Sequence, residues 1–305
     1  MPGARVHLAL VAVQLLFGTL PLAGQVAMEG IPPLGLAALR IGGAALVLAF
    51  WAGRRLASVA LADIPVLALY AALAIVGNQV LFLEGLSRTT QVSAAVLITT
   101  VPVFTMGFAL ALRSERWSVL RAAGIAVGLA GALALIGVER FDLSDRAMVG
   151  NLMVVVNASF WSLYLVLARP MLQRLDPLVV MTWMFLIGAL CFLPFGMPAV
   201  VGAVGEARWE SWLAAAWVVT GPTVGSYVLS VWALRHAEST SVAAYTYVQP
   251  VVAGVLAWLV VGETPGTRTA VAAAAIFAGV AAVQVSGRAR RRAHRPSPRF
   301  TSSVE

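Results

Sequence analysis

Stretches of about twenty apolar residues alternate along the chain with short breaks that carry charge, proline and glycine. The apolar runs fall at 7–28, 34–53, 64–84, 93–112, 118–138, 148–168, 178–200, 211–233, 241–261 and 267–286. An α-helix needs roughly 20 apolar residues to cross the hydrocarbon core of a bilayer, so each run is long enough for one crossing. The breaks, among them Glu29–Pro33, Arg113–Trp117 and Gly262–Gly266, hold the residues that end helices. The pattern predicts an all-α polytopic membrane protein with ten transmembrane helices. Arg5 ahead of the first run and Ala23, Gly24 and Gln25 near its end imitate a secretory signal, but the length of the run and the nine that follow predict a retained helix.

Composition agrees and narrows the classes. Of 305 residues 60% are hydrophobic and 11% charged, whereas soluble domains carry about 25% charged residues. Ten crossings use nearly the whole chain and leave no room for a sizeable soluble domain. The net charge of +8 comes from arginine alone, since all 21 basic residues are Arg. With the N-terminus inside, fifteen arginines fall on the cytoplasmic side, including Arg54, Arg55, Arg113, Arg169, Arg174 and six in the tail, against five outside: Arg88, Arg140, Arg146, Arg208 and Arg268. The insertion machinery keeps short arginine-bearing loops in the cytoplasm, so a multi-pass protein of the inner (plasma) membrane with both termini cytoplasmic is expected. The tail, 287–305, reads as a disordered basic segment that anchors topology; its arginine cluster predicts no nucleic-acid partner. Cys191 is the only cysteine, which excludes an intrachain disulfide and a thiol-cluster metal site. No metal site and no cofactor are expected.

Shifted by 148 residues, the chain overlays itself. Leu86 then meets Leu234, Ser93 meets Ser241, Pro102 meets Pro250, Glu115 meets Glu263 and Gly131 meets Gly279; at an offset of 144, Pro33 meets Pro177. Two halves follow, 1–146 and 147–286, each of five helices. Five is odd, so the second half must enter the membrane upside down relative to the first, and such inverted repeats are a transporter design.

The sequence Leu16–Thr19 (LFGT) in the first run, Arg40 in the second, the elements Pro102…Glu115 and Pro250…Glu263, and two five-helix repeats resemble the EamA-like family of the drug/metabolite transporter superfamily over residues 7–286. That resemblance implies metabolite movement across the inner membrane, often export of amino acids or related compounds, through a central cavity between the repeats. It also implies a monomer, because two fused repeats already make a transport unit. The small multidrug-resistance relatives carry an acid in the middle of the first helix; here that helix offers only His7 and Gln14, which disfavours a proton-coupled cation antiporter of that kind.

Polar side chains at membrane depth are costly unless they pair or line a wet cavity, so each is a candidate. Asn78 and Gln79 in the third run lie opposite Ser226 and Tyr227 in the eighth at the 148 offset. Pro102 and Pro250 kink the fourth and ninth helices and free the carbonyls of about Ile98 and Thr246; the hydroxyls of Thr99, Thr100 and Thr246 stand ready to satisfy those carbonyls or to bind substrate. Tyr245 and Gln249 share a helix face, with Tyr247 at an angle to them. Asn157 and Trp161 lie in the sixth run, and Trp161 aligns with Phe17 at the 144 offset as an aromatic pair flanking the cavity. Arg40, the only arginine well inside a run, reads as a structural or gating charge that pairs with Glu84 or Glu29, with an anionic substrate group as the alternative. Glu115 and Glu263 sit at span ends as gating or capping groups. Glycine pairs four apart, Gly124 with Gly128 and Gly221 with Gly225, read as close-packing surfaces.

Three functions compete on these residues. A secondary transporter working by alternating access fits best, with a small-molecule substrate and the lipid bilayer as partners. A lipid-headgroup flippase of the same superfamily would need a cavity open sideways to lipid. A membrane-embedded enzyme would need clustered acids, histidines or a metal, whereas His7, His236 and His294 are scattered and acids lie at span ends. The chain has no lysine, hence no P-loop.

Overall fold

A computed structural model describes residues 4–114, 119–136, 145–237, 239–262 and, within 266–278, residues 266–267, 270–271, 273–275 and 277–278. The described residues are helical, with no strand among them. The helices are α1 (Ala4–Met28), α2 (Pro33–Ala52), α3 (Ile64–Tyr70), α4 (Asn78–Leu86), α5 (Gln91–Ile98), α6 (Val101–Ala111), α7 (Val119–Ile136), α8 (Arg146–Arg174), α9 (Pro177–Ala203), α10 (Trp209–Val218), α11 (Ser226–His236), α12 (Ser239–Ala244) and α13 (Val248–Val261). Seven helical segments among the described residues are long and apolar enough to cross a membrane: Ala4–Met28, Pro33–Ser58, Leu61–Leu86, Gln91–Ala111, Arg146–Arg174, Pro177–Ala203 and Trp209–His236. They make this a multi-pass membrane protein. Twelve of the twenty residues of the tenth apolar run, at 267–286, lie outside the described residues.

Local sequence accounts for the ends. Thr90, Asp145 and Asp176 cap α5, α8 and α9 by accepting backbone N–H groups, which offsets part of the cost of unpaired donors at a helix start. Proline stands in the first turn of α2, α3, α6 and α9, where its missing N–H costs nothing.

Two crossings are broken by π-helical turns, and the breaks match. The first turn, Ala71–Gly77, lies between α3 and α4; the second, Val219–Gly225, lies between α10 and α11. The two are 148 residues apart, the same offset that overlays the sequence on itself. Pro222 explains the second turn: it has no N–H for the Val218 carbonyl, and the Thr223 hydroxyl donates there instead at 2.7 Å. The crossings made by α5–α6 and by α12–α13 are also interrupted, at Thr99–Thr100 and at the 3-10 turn Tyr245–Tyr247.

Helices α2 and α9 pack on each other through small residues. A Cβ at Gly196 would meet the Ala38 Cβ at 2.6 Å and the Leu34 carbonyl oxygen at 2.9 Å, and one at Gly35 would meet Ala199 and Val200 backbone atoms at 3.3 Å. Elsewhere α1 packs on α10, α11 and α13, and α8 packs on α4, α5 and α6. Of the predicted glycine pairs, Gly128 faces Val103 and Gly225 faces Leu16, whereas Gly221 meets the ring of Trp217 in its own helix.

Candidate functional site

The central cavity lies where α1, α2, α4, α8, α11 and α13 converge with the break between α5 and α6. Its wall includes Phe17, Arg40, Asn78, Phe82, Ile98, Asn157, Trp161, Tyr227, Thr246 and Gln249. About 630 Å³ of space lies among the lining atoms, a volume that includes space open to the surroundings.

Hydrogen bonds hold its polar wall in place. The Tyr227 hydroxyl lies 3.0 Å from both the Ala74 carbonyl oxygen and Asn78 Oδ1, so one proton faces two acceptors across α11 and the first π turn. Asn157 Nδ2 donates to the Asn78 carbonyl at 2.6 Å, joining α8 to α4. Gln249 Nε2 donates to Gln14 Oε1 at 2.7 Å, joining α13 to α1. The rings meet edge-on: Phe17 and Trp161 have centroids 6.5 Å apart, Phe17 and Tyr227 5.9 Å, and Trp161 and Tyr227 5.3 Å. Such arrangements suit the ring quadrupoles.

Of the eleven candidate binding residues, Asn78, Asn157, Trp161, Tyr227 and Gln249 come together on this wall. The others do not. Gln79 and Ser226 are fully buried off the wall, the latter with its hydroxyl 3.4 Å from the Val13 carbonyl. Thr99 and Thr100 are fully buried too, and their hydroxyls donate to the Val96 and Leu97 carbonyls one turn back; they serve the broken helix and stand away from the cavity. Tyr245 bonds His7 near the start of α1. The side chains of Tyr247 and Pro250, and Glu115 and Glu263 whole, lie outside the described residues. Pro102 occupies the first turn of α6, and it has no N–H to give Ile98, which lines the cavity.

The expected pairing of Arg40 with an acid is not what the structure holds. Glu84 is bound by Arg88 one turn along the same helix, and Arg40 donates from Nε to Thr223 Oγ1 at 2.9 Å while lining the cavity. An arginine four residues away on a helix face reaches Glu84 at little entropic cost, so Arg40 is left to face inward.

Several wall residues escaped the polar-residue search because they are apolar: Phe17 entered as the partner of Trp161 and, with Gly18, within the Leu16–Thr19 motif, whereas Leu20, Pro21 and Phe82 gave no signal beyond composition. Gly18 earns its place by close approach, since a Cβ there would meet the Val252 Cβ at 2.6 Å. Its neighbour Thr19 accepts from Trp217 Nε1 at 3.0 Å. A second, wider hollow opens at the C-terminal end of α1, lined by Gln25, Glu29, Glu84, Arg88 and Arg146. One turn of α1, from Pro21 to Gln25, separates the two spaces, and Gln91 Nε2 donates to Gln25 Oε1 there at 2.6 Å.

The cavity is walled by several membrane-crossing helices and lined by both polar and aromatic side chains. The chain is a member of the EamA-like transporter family, whose profile matches residues 4–137 and again 148–284. It is similar to an uncharacterized transporter, YoaV, of Bacillus subtilis, at 25% identity over 85% of this chain and 89% of that one. It is also similar to a probable terminal-alkyne amino-acid exporter of Streptantibioticus cattleyicolor, at 28% identity over 88% of this chain and 89% of that one. A solved crystal structure shares the fold with TM-score 0.65 and 21% identity, covering 95% of this chain and 99% of that chain.

Proposed function

We propose that the protein is a secondary transporter that exports a small metabolite, an amino acid or a related compound, across the inner membrane by alternating access. The observation that carries this reading is the central cavity, whose polar wall is drawn from both halves of the chain: Arg40 and Asn78 from the first, Asn157, Tyr227 and Gln249 from the second. Ten crossings in two inverted repeats are part of the proposal. They are supported by the two family matches, by the π turns at one offset and by the paired helix breaks. The similarity to an amino-acid exporter supports the substrate class. The work of the chain is transport and not catalysis.

The two ends of the cavity differ. Toward the C-terminal end of α1 a single turn separates it from the wide charged hollow; toward the N-terminal end α1 is bound to the ninth crossing by the Gln14–Gln249 and His7–Tyr245 contacts. With the N-terminus cytoplasmic, this is a conformation with its thin barrier outside and its thick barrier inside. Alternating access then exchanges the two barriers.

Two measurements test the reading. Purified protein in liposomes, given a panel of amino acids and small carboxylic acids against protein-free vesicles, is expected to show saturable flux of at least one member. Silence across the panel together with headgroup movement between leaflets would replace the exporter by a lipid flippase. A reporter fused after Glu305 is expected to be active only in the cytoplasm; activity outside would refute an even number of crossings.

A further inference from the structure

Resting on the transporter reading above, we propose that the central cavity takes its solute by the carboxylate and that Arg40 is the residue that holds it. Arg40 is the eighth residue of α2, so about 10 Å along the helix axis from its start, and only 2% of its surface is exposed. It lines the cavity. Among the described residues no carboxylate stands within ion-pair distance of it: Glu84 is held by Arg88, Asp63 by Arg174, Glu210 by Arg208 and Asp176 by Arg55. Among the described residues the cavity wall carries no other charged residue. One positive charge therefore sets the sign of the field inside, and a desolvated cation without a counter-charge is costly. An entering anion offsets that cost.

The hydrogen bond that Arg40 does make fixes its posture. The Thr223 hydroxyl gives its proton to the Val218 carbonyl, which Pro222 cannot serve, and so turns a lone pair toward Arg40 Nε. A guanidinium has five N–H donors in a flat fork. Thr223 takes one, and the remaining four have no acceptor among the described residues. A fork held at Nε with its outer nitrogens unpaired matches a carboxylate in two-point geometry. Its single charge suits a monoanion better than a phosphate, and Phe17, Phe82 and Trp161 offer apolar surface to the rest of a small solute. The shared group is the carboxylate; amino acids and simple carboxylic acids both present it.

The test uses the purified full chain in detergent and reads the rise in thermal unfolding temperature on adding acetate, isocaproate or leucine, with leucinamide, isopentylamine and inorganic phosphate as controls. At least one carboxylate is expected to raise Tm and the controls to leave it unchanged; leucine without isocaproate marks an amino-acid site, and isocaproate or acetate without leucine a simple-acid site. In Arg40→Gln the affinity is expected to fall on the order of a hundredfold, with part of it kept in Arg40→Lys. The ligand-free Tm of Arg40→Gln is expected to equal or exceed that of the wild type, because an unpaired buried cation has been removed; a structural ion pair would make it fall. The proposal is overturned by no shift with any of the three carboxylates, by an equal shift with leucinamide or phosphate, or by an unchanged shift in Arg40→Gln. Liposome flux separates this from the parent reading. Flux of isopentylamine retained in Arg40→Gln sinks the carboxylate site and leaves a transporter, whereas an Arg40-dependent shift without flux of any solute sinks the transporter and leaves the site.

Discussion

Gly196→Leu is expected to leave little folded protein, by far the largest stability effect of any single exchange at the contact of α2 with α9. The Cβ alone would sit 2.6 Å from the Ala38 Cβ, 2.9 Å from the Leu34 carbonyl oxygen and 3.0 Å from the Phe192 ring. Two of those neighbours are backbone or one bond from it, so no rotamer change clears the space. Overpacking a close-packed contact costs about 1–3 kcal/mol and sometimes more, and here a whole isobutyl group must follow the Cβ. Because the pair α2 and α9 would straddle the axis between the proposed repeats, parting them also moves Arg40 relative to Thr223. Thermal unfolding and size-exclusion profiles in detergent measure the loss. Gly196→Ala should fall by less and should be partly rescued by Ala38→Gly, which removes the nearest atom. A Gly196→Leu protein with wild-type Tm would show that this crossing is looser than the structure has it.

The helices were legible in the sequence because the signal is long and redundant. The run at 34–53 becomes Pro33–Ala52 and the run at 178–200 becomes Pro177–Ala203, both started by proline and both apolar apart from Arg40 and Thr182. The π turns were not legible, since hydropathy does not register one extra residue per turn; only the recurrence of Asn78 and Ser226 at one offset hinted that the two places correspond. The site was legible in part for a geometric reason. Asn78 and Gln79 are equally polar, but neighbours on a helix point about 100° apart, and only Asn78 reaches the wall.

The sequence also left open two choices that short-range geometry decides. Thr99 and Thr100 had carbonyls three residues back within reach, and hydroxyls that bond locally are not free to bind a solute. Arg88 could reach Glu84 within one turn, whereas Arg40 would have needed a partner from another element. Local competition of this kind consumes most polar groups in a bundle. What remains, Arg40 and the amides of α4, α8 and α13, which bond across helices, is the set proposed for a solute.

Gln249→Ala is expected to reduce flux tenfold or more while unfolding close to the wild-type temperature, and this split is what separates a site residue from a structural one. Gln249 lines the cavity and donates to Gln14 at 2.7 Å. Hydrogen bonds between membrane helices contribute only about 0.6 kcal/mol on average, with about 1.7 at the upper end, so losing the bond alone cannot abolish folding. In the proposed mechanism its functional weight comes from position: the bond ties α1 to α13 and would have to break for the thick barrier to open. Gln14→Ala removes the same bond without touching the wall directly, since Gln14 is not among the lining residues. If Gln249 acts only through the bond, the two variants should lose flux equally and the double variant no further. If its amide also contacts solute, Gln249→Ala should raise KM where Gln14→Ala changes only the maximal rate. Wild-type flux in both would remove the ninth crossing from the transport path.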